Sequence, residues 1–200
     1  LPPPVTPARA PGGTQPASAD VPPSTSDGDS RSIATMPAEI DTIPRVIADL
    51  RAALGPQLEQ LGQSLAADGI EHAYLVGCGD SMFAGQATCL AFARHCGVQA
   101  QAVHALDLAR YRVRYLQPRS LVVCVSFSGE VGRTIEAAAQ ARRQGHRVVA
   151  LTGSVNGRLA REAQTSVLLD VPTLGFSPGT STYVPMQTAL LTLALAWGRA

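Results

Sequence analysis

From residue 36 onward the apolar positions of this chain switch repeatedly between two periods. Ile40, Ile43, Val46, Ile47 and Leu50 recur at helical spacing, and Leu58, Leu61 and Leu65 do so again over residues 56–67. Two helices are predicted there, with Pro44 near the start of the first. Beyond them, short apolar runs alternate with longer amphipathic stretches. Strands are predicted at residues 73–77, 98–103, 121–125, 147–151 and 166–169, and helices at 82–95, 106–111, 131–144, 157–163 and 183–197. Such alternation predicts an α/β fold: a three-layer, doubly wound sandwich with a five-stranded parallel sheet. Right-handed crossovers then bring every loop that follows a strand to one edge, the carboxyl edge, where open α/β sheets take their ligands. Four loops fall there: residues 77–81, 126–130, 152–156 and 172–182.

The first 35 residues differ in kind. Eight of the 15 prolines lie among the first 23 positions, mixed with Ala, Ser, Thr and Gly. A segment of that composition buries too little apolar surface to offset its ordering entropy, so residues 1–35 are expected to be a disordered tail or linker and residues 36–200 one domain. No secretory signal is expected, because prolines stand where an apolar core segment would be. The apolar helix at 183–197 is too short to span a bilayer but needs a surface to pack on. Net charge is +1, with 16 basic and 15 acidic residues, which gives no basis for a nucleic-acid or membrane partner. Arg110, Arg112, Arg114 and Arg119 cluster, and read as a solvated face before a strand. The four cysteines form no Cys-x-x-Cys pair and no Cys/His zinc spacing, so no metal is expected and a reducing compartment, the cytoplasm, is.

The candidate chemistry sits in the loops. Leu121–Val125 stops at Ser126-Phe127-Ser128-Gly129-Glu130, and an amphipathic helix follows. A strand, a hydroxyl-rich turn and a helix N-terminus together present unpaired N–H groups to an anion. The bland alternative is that Ser126 and Ser128 only cap the turn. In the first loop, Gly77-Cys78-Gly79-Asp80-Ser81, the glycines suit a sharp turn. A dinucleotide fingerprint fails there, since Met82 takes the place of its third glycine and no acid follows the second strand. Cys78 reads as a packed small residue rather than a nucleophile, and Cys89 and Cys124 as core residues. The loop at 152–156 reads as a turn. In the fourth loop Thr180, Ser181 and Thr182 precede the last helix, and one of them is expected to cap it. The chain has neither a nucleophile elbow nor a P-loop, and His72, His95, His104 and His146 lie apart.

The loops taken together resemble the sugar isomerase (SIS) domain family, and within it the isomerase half of glutamine–fructose-6-phosphate aminotransferase (glucosamine-6-phosphate synthase). Met36-Pro-Ala-Glu39-Ile40 with Pro44 is similar to that family's opening helix, and Gly77 to Ser81 to its Cys-Gly-Thr-Ser loop. Ser126 to Glu130 is similar to its Ser-Gln-Ser-Gly-Glu loop, residues 154–163 to its Ser-x-Leu-x-Arg-Glu stretch, and Gly179 to Thr182 with Gln187 to its Ala-Ser-Thr-Lys segment. The resemblance implies a phosphorylated sugar or amino sugar as ligand, held by Cys78, Gly79, Asp80, Ser81, Ser126, Phe127, Ser128, Gly129, Glu130 and Ser181, with no cofactor. It also implies a first module of two in tandem, or a homodimer, with the catalytic glutamate and lysine outside this segment, so no catalytic residue is assigned here. Three positions depart from the family: Asp80 and Val131 stand where it has threonines, and Phe127 where it has a glutamine. Losing the phosphate donor at Val131 costs roughly 1–3 kcal/mol, which leaves a ligand with a different or absent phosphate open. The alternative function is a regulatory domain that senses a phosphosugar, although no helix-turn-helix precedes residue 36. A plain α/β domain without a sugar ligand is the third reading.

Overall fold

The computed structural model describes residues 27–172 and 179–200, with the side chains of 27–34 and 180 excepted. Five strands form one all-parallel sheet in the order β2-β1-β3-β4-β5: β1 His72–Gly77, β2 Gln99–His104, β3 Ser120–Val125, β4 Arg147–Thr152 and β5 Thr165–Leu168. Each strand lies within a residue or two of its expected place. In β3 all six residues are buried, as in a strand covered on both faces. Alternation splits the core in two. Ala73, Leu75, Leu121, Val123, Val149 and Leu151 face one layer, while Tyr74, Val76, Val122, Cys124, Val148 and Ala150 face the other.

The first layer is made of α1 (Asp27–Ala67), α2 (Asp80–Cys96) and the last helix, α6 (Thr180–Trp197). The second is made of α3 (Ala105–Asp107), the irregular turns Leu108–Arg112 and Val113–Tyr115 that continue it, α4 (Gly132–Arg143) and α5 (Arg158–Glu162). The apolar helix α6 finds its packing surface within the chain, between α1 and α2. Met186, Leu190, Leu193 and Trp197 are buried, and the Trp197 ring meets Phe92 edge-on at 6.3 Å. At Gly62 a side chain would strike the backbone of Trp197, so the small residue lets α1 and α6 touch. Leu191 and Leu195 remain exposed on the outer side of α6.

Two expected N-terminal helices prove to be one. α1 runs unbroken through Pro37, Pro44 and Pro56 and begins at Asp27, inside the expected tail; residues 1–26 lie outside the described residues. A proline frees the carbonyl four residues before it. Pro44 and Ile40 are both exposed, as are Pro56 and Ala52, so the interruptions fall on the solvent side of the helix. The stripe Leu50, Leu54, Leu58, Leu61, Leu65 meanwhile continues in phase across Pro56, all five buried. Glu39 extends the same stripe upstream. It is buried, and among the described residues neither carboxylate oxygen has a hydrogen-bond partner.

The arginine cluster is a solvated face, as expected. Arg110 pairs with Glu136, Arg112 with Asp107 and Arg119 with Glu71, all at the surface. Among the described residues no helix is long and apolar enough to cross a membrane.

Candidate functional site at the carboxyl edge of the sheet

The strand order places a switch point between β1 and β3. From β1 the chain leaves toward β2 by way of α2, in one layer, and from β3 it leaves toward β4 by way of α4, in the other. The loops after these two strands diverge and leave a crevice at their carboxyl ends, the usual ligand position in such sheets. Cys78 marks where they meet: its sulfur lies 4.0 Å from Oγ1 of buried Thr134, in the first turn of α4. Cys78 is thus half-buried packing, as expected of a small residue.

In the loop after β3, three acceptors are taken by the β4–α5 connection, while several donors are left without an acceptor among the described residues. The Phe127 carbonyl accepts from the Gly153 amide (2.8 Å) and from Thr152 Oγ1 (3.4 Å). The Gly129 carbonyl accepts from the Leu159 amide (3.0 Å), and Glu130 Oε1 accepts from the Arg158 amide (2.9 Å). Gly129 turns the chain with φ +69°, and a side chain there would also strike Thr152 Oγ1. On the donor side, the Glu130 amide reaches Ser128 Oγ at 3.3 Å and the Gly129 amide closes a turn onto Ser126 O. The amides of Phe127, Ser128, Val131, Gly132 and Arg133 have no acceptor among the described residues. The last two open α4, whose N-terminus has no side-chain cap. Ser126 is 1% exposed, and among the described residues its hydroxyl has no partner. Buried hydroxyls are almost always paired, so a lone one at the base of this loop stands out, although it is closed to solvent as the loop stands. Phe127 contributes its amide only: its ring packs on Gly153 and the core layer of α1 and α6.

A second corner forms where α2 and α6 begin. Ser81 Oγ donates to Met186 Sδ at 3.3 Å, and the Asp80 carboxylate fills the space that a side chain at Gly179 would occupy. The expected cap of α6 is corrected here. Gly179, at φ +70°, is the N-cap and its carbonyl receives the Thr182 and Tyr183 amides, so Ser181 and Thr182 lie inside the first turn and no hydroxyl caps it. With the helix starting a turn earlier than expected, half-buried Ser181 lies two residues beyond Gly179, whose open space Asp80 fills. Residues 173–178 of the fourth loop lie outside the described residues.

Sequence reasoning took residues 152–156 for a plain turn. That connection instead supplies the groups that hold the loop after β3. The only local sign was a threonine followed by glycine at a strand end. Burial pushes the thiols of Cys89, Cys96 (to about 11) and Cys124 (to about 12) above the usual range, which fits packed rather than reactive groups. Among the described residues no group of three or more His, Cys, Asp or Glu side chains is placed to hold a metal. A cavity of about 560 Å³ lined by His72, Tyr74, Gln99, Gln101 and Gln117 opens at the amino ends of β1 and β2, away from these loops.

Comparison with known proteins agrees with this architecture. Glutamine–fructose-6-phosphate aminotransferase of Corynebacterium glutamicum is 36% identical over 98 residues, 49% of this chain and 16% of that enzyme. This chain therefore spans about a sixth of the length of that relative. A solved C-terminal domain of glucosamine–fructose-6-phosphate aminotransferase from Francisella tularensis superposes with a TM-score of 0.65 at 23% identity, over 80% of this chain and 47% of the other. The sugar isomerase domain of an RpiR transcription factor from Sphaerobacter thermophilus does so with a TM-score of 0.61 at 20% identity, over 80% and 90%. Both show the shared fold. The sequence model of the SIS domain matches residues 69–196, from the turn before β1 to the last turn of α6. With every strand of the sheet and the crevice between β1 and β3 inside that match, the chain belongs to the SIS domain family.

Proposed function

We propose that this chain is the sugar-phosphate-binding module of an aldose–ketose isomerase, aminotransferase or deglycase of the glucosamine-6-phosphate synthase type, with its catalytic base outside this segment. The observation that carries the reading is the set of amides at Phe127, Ser128, Gly132 and Arg133 with no acceptor among the described residues, in the same loop as the likewise unpartnered Ser126 hydroxyl. Four unpaired amides in the turn and at the helix N-terminus suit a phosphate. Ser128 and the Ser126 hydroxyl complete its cradle, while Cys78, Gly79, Asp80, Ser81 and Ser181 stand at the sugar end. Relatives named for fructose 6-phosphate support a phosphorylated sugar or amino sugar as ligand. The groove of about 380 Å³ between Ile47, Val184, Leu191 and Leu195 suits packing by a second module or a second copy. Four free thiols suit the cytoplasm.

Ser128→Ala should weaken fructose 6-phosphate binding about tenfold and leave the melting temperature within a degree or two. Calorimetric titration of both proteins with fructose 6-phosphate and with fructose checks this; equal affinity for the phosphorylated sugar would remove Ser128 from the cradle. One observation favours a second reading, a phosphosugar-sensing regulatory domain. The Glu130 carboxylate faces α5, so the loop offers no base toward the crevice. Exchange of the sugar C2 proton in heavy water, followed on the full-length protein, separates enzyme from sensor.

A further inference from the structure

Three pins hold the loop after β3 against the β4–α5 connection. Two use backbone carbonyls, at Phe127 and Gly129, and the third is a side chain, Glu130 Oε1 on the Arg158 amide. The third lies nearest α4, two residues before its first amide. We propose that Glu130 is a positioning residue: it turns the acceptors of the loop toward α5 and so leaves the loop's donors facing the crevice. The proposal rests on the binding function above. Its physical basis is the peptide unit itself, in which N–H and C=O point opposite ways. A loop free to rotate would bring a carbonyl toward a bound oxyanion as readily as an amide, and a carbonyl there repels it.

The carboxylate does this work through its hydrogen bond, not through its charge. A negative charge beside an oxyanion opposes binding, whereas the bond to Arg158 favours it. The two contributions separate in two substitutions. Glu130→Ala removes both, and Glu130→Gln keeps an oxygen acceptor while removing the charge. Glu130 and Arg158 are both exposed, so neither variant leaves a buried group unpaired.

The experiment uses the full chain and both variants, with amide hydrogen exchange and titration by inorganic phosphate and by fructose 6-phosphate. In Glu130→Ala the Arg158 and Leu159 amides should exchange about tenfold faster, and affinity for both anions should fall about tenfold. Glu130→Gln should exchange like the native protein and bind at least as tightly. Unchanged exchange in Glu130→Ala overturns the positioning role whatever the ligands do. Equal weakening in the two variants also overturns it, because an oxygen acceptor at this position would then not be what binding depends on. Loss of protection in Glu130→Ala, with a native protein that binds neither anion, supports the pin and overturns the binding function instead.

Discussion

Substituting Ser126 by alanine should make the unliganded protein more stable and the ligand weaker, two effects of opposite sign from one atom. Ser126 is 1% exposed and its hydroxyl has no partner among the described residues. A buried, unpaired hydroxyl costs about 1–3 kcal/mol against an apolar group in the same place. Alanine removes that cost and leaves a void of a single atom. A gain of about 1–2 kcal/mol is expected, which for a domain of this size raises the melting temperature by roughly 2–8 °C. If the same hydroxyl donates to a phosphate, its loss removes a bond to a charged group, about 1.5–3 kcal/mol, or roughly ten- to hundredfold in affinity. Differential scanning fluorimetry with and without fructose 6-phosphate reads both effects. At a ligand concentration about a hundred times its dissociation constant the native protein gains about 2.7 kcal/mol. A variant bound tenfold more weakly gains only about half of that. The variant should therefore melt higher alone and lose that advantage with ligand. A variant less stable alone, yet with unchanged affinity, would show that the hydroxyl serves the fold and would refute the cradle.

Two further outcomes follow from a buried and a half-buried group away from the carboxyl-edge loops. Glu39→Leu continues the leucine stripe of α1 and removes two unpartnered carboxylate oxygens, so stability should rise by at least about 1 kcal/mol; a lower urea midpoint would reveal a partner for the carboxylate. Burial holds His146 below its ordinary value of 6.5, so the unfolded chain takes up this proton first as pH falls and stability is lost through that range. His146→Gln should flatten the fall in melting temperature between about pH 7.5 and 5.5, and parallel curves for the two proteins would count against the burial argument.

The parallel sheet was legible in the chain because its central strands are buried on both faces and therefore read as uninterrupted apolar runs, clearest in Leu121 to Val125. The hydroxyl-rich turn at Ser126 to Gly129 was legible too, since strand, turn and helix are consecutive in the chain. The single α1 was not, because a helix tolerates proline more readily where the carbonyl it frees is open to water, and exposure at Ile40 and Ala52 is a property of the folded protein. The cap of α6 went astray for a similar reason. A glycine at positive φ displaced three hydroxyl candidates, and its space is shared with Asp80, a hundred residues away in the chain. Strand order belongs wholly to the fold: it makes the gap between β1 and β3 the place where two loops part. The same holds for the pinning of Phe127, Gly129 and Glu130 by Gly153, Leu159 and Arg158. Local sequence dictates which groups can donate or accept, but a partner more than 20 residues away is chosen by packing alone.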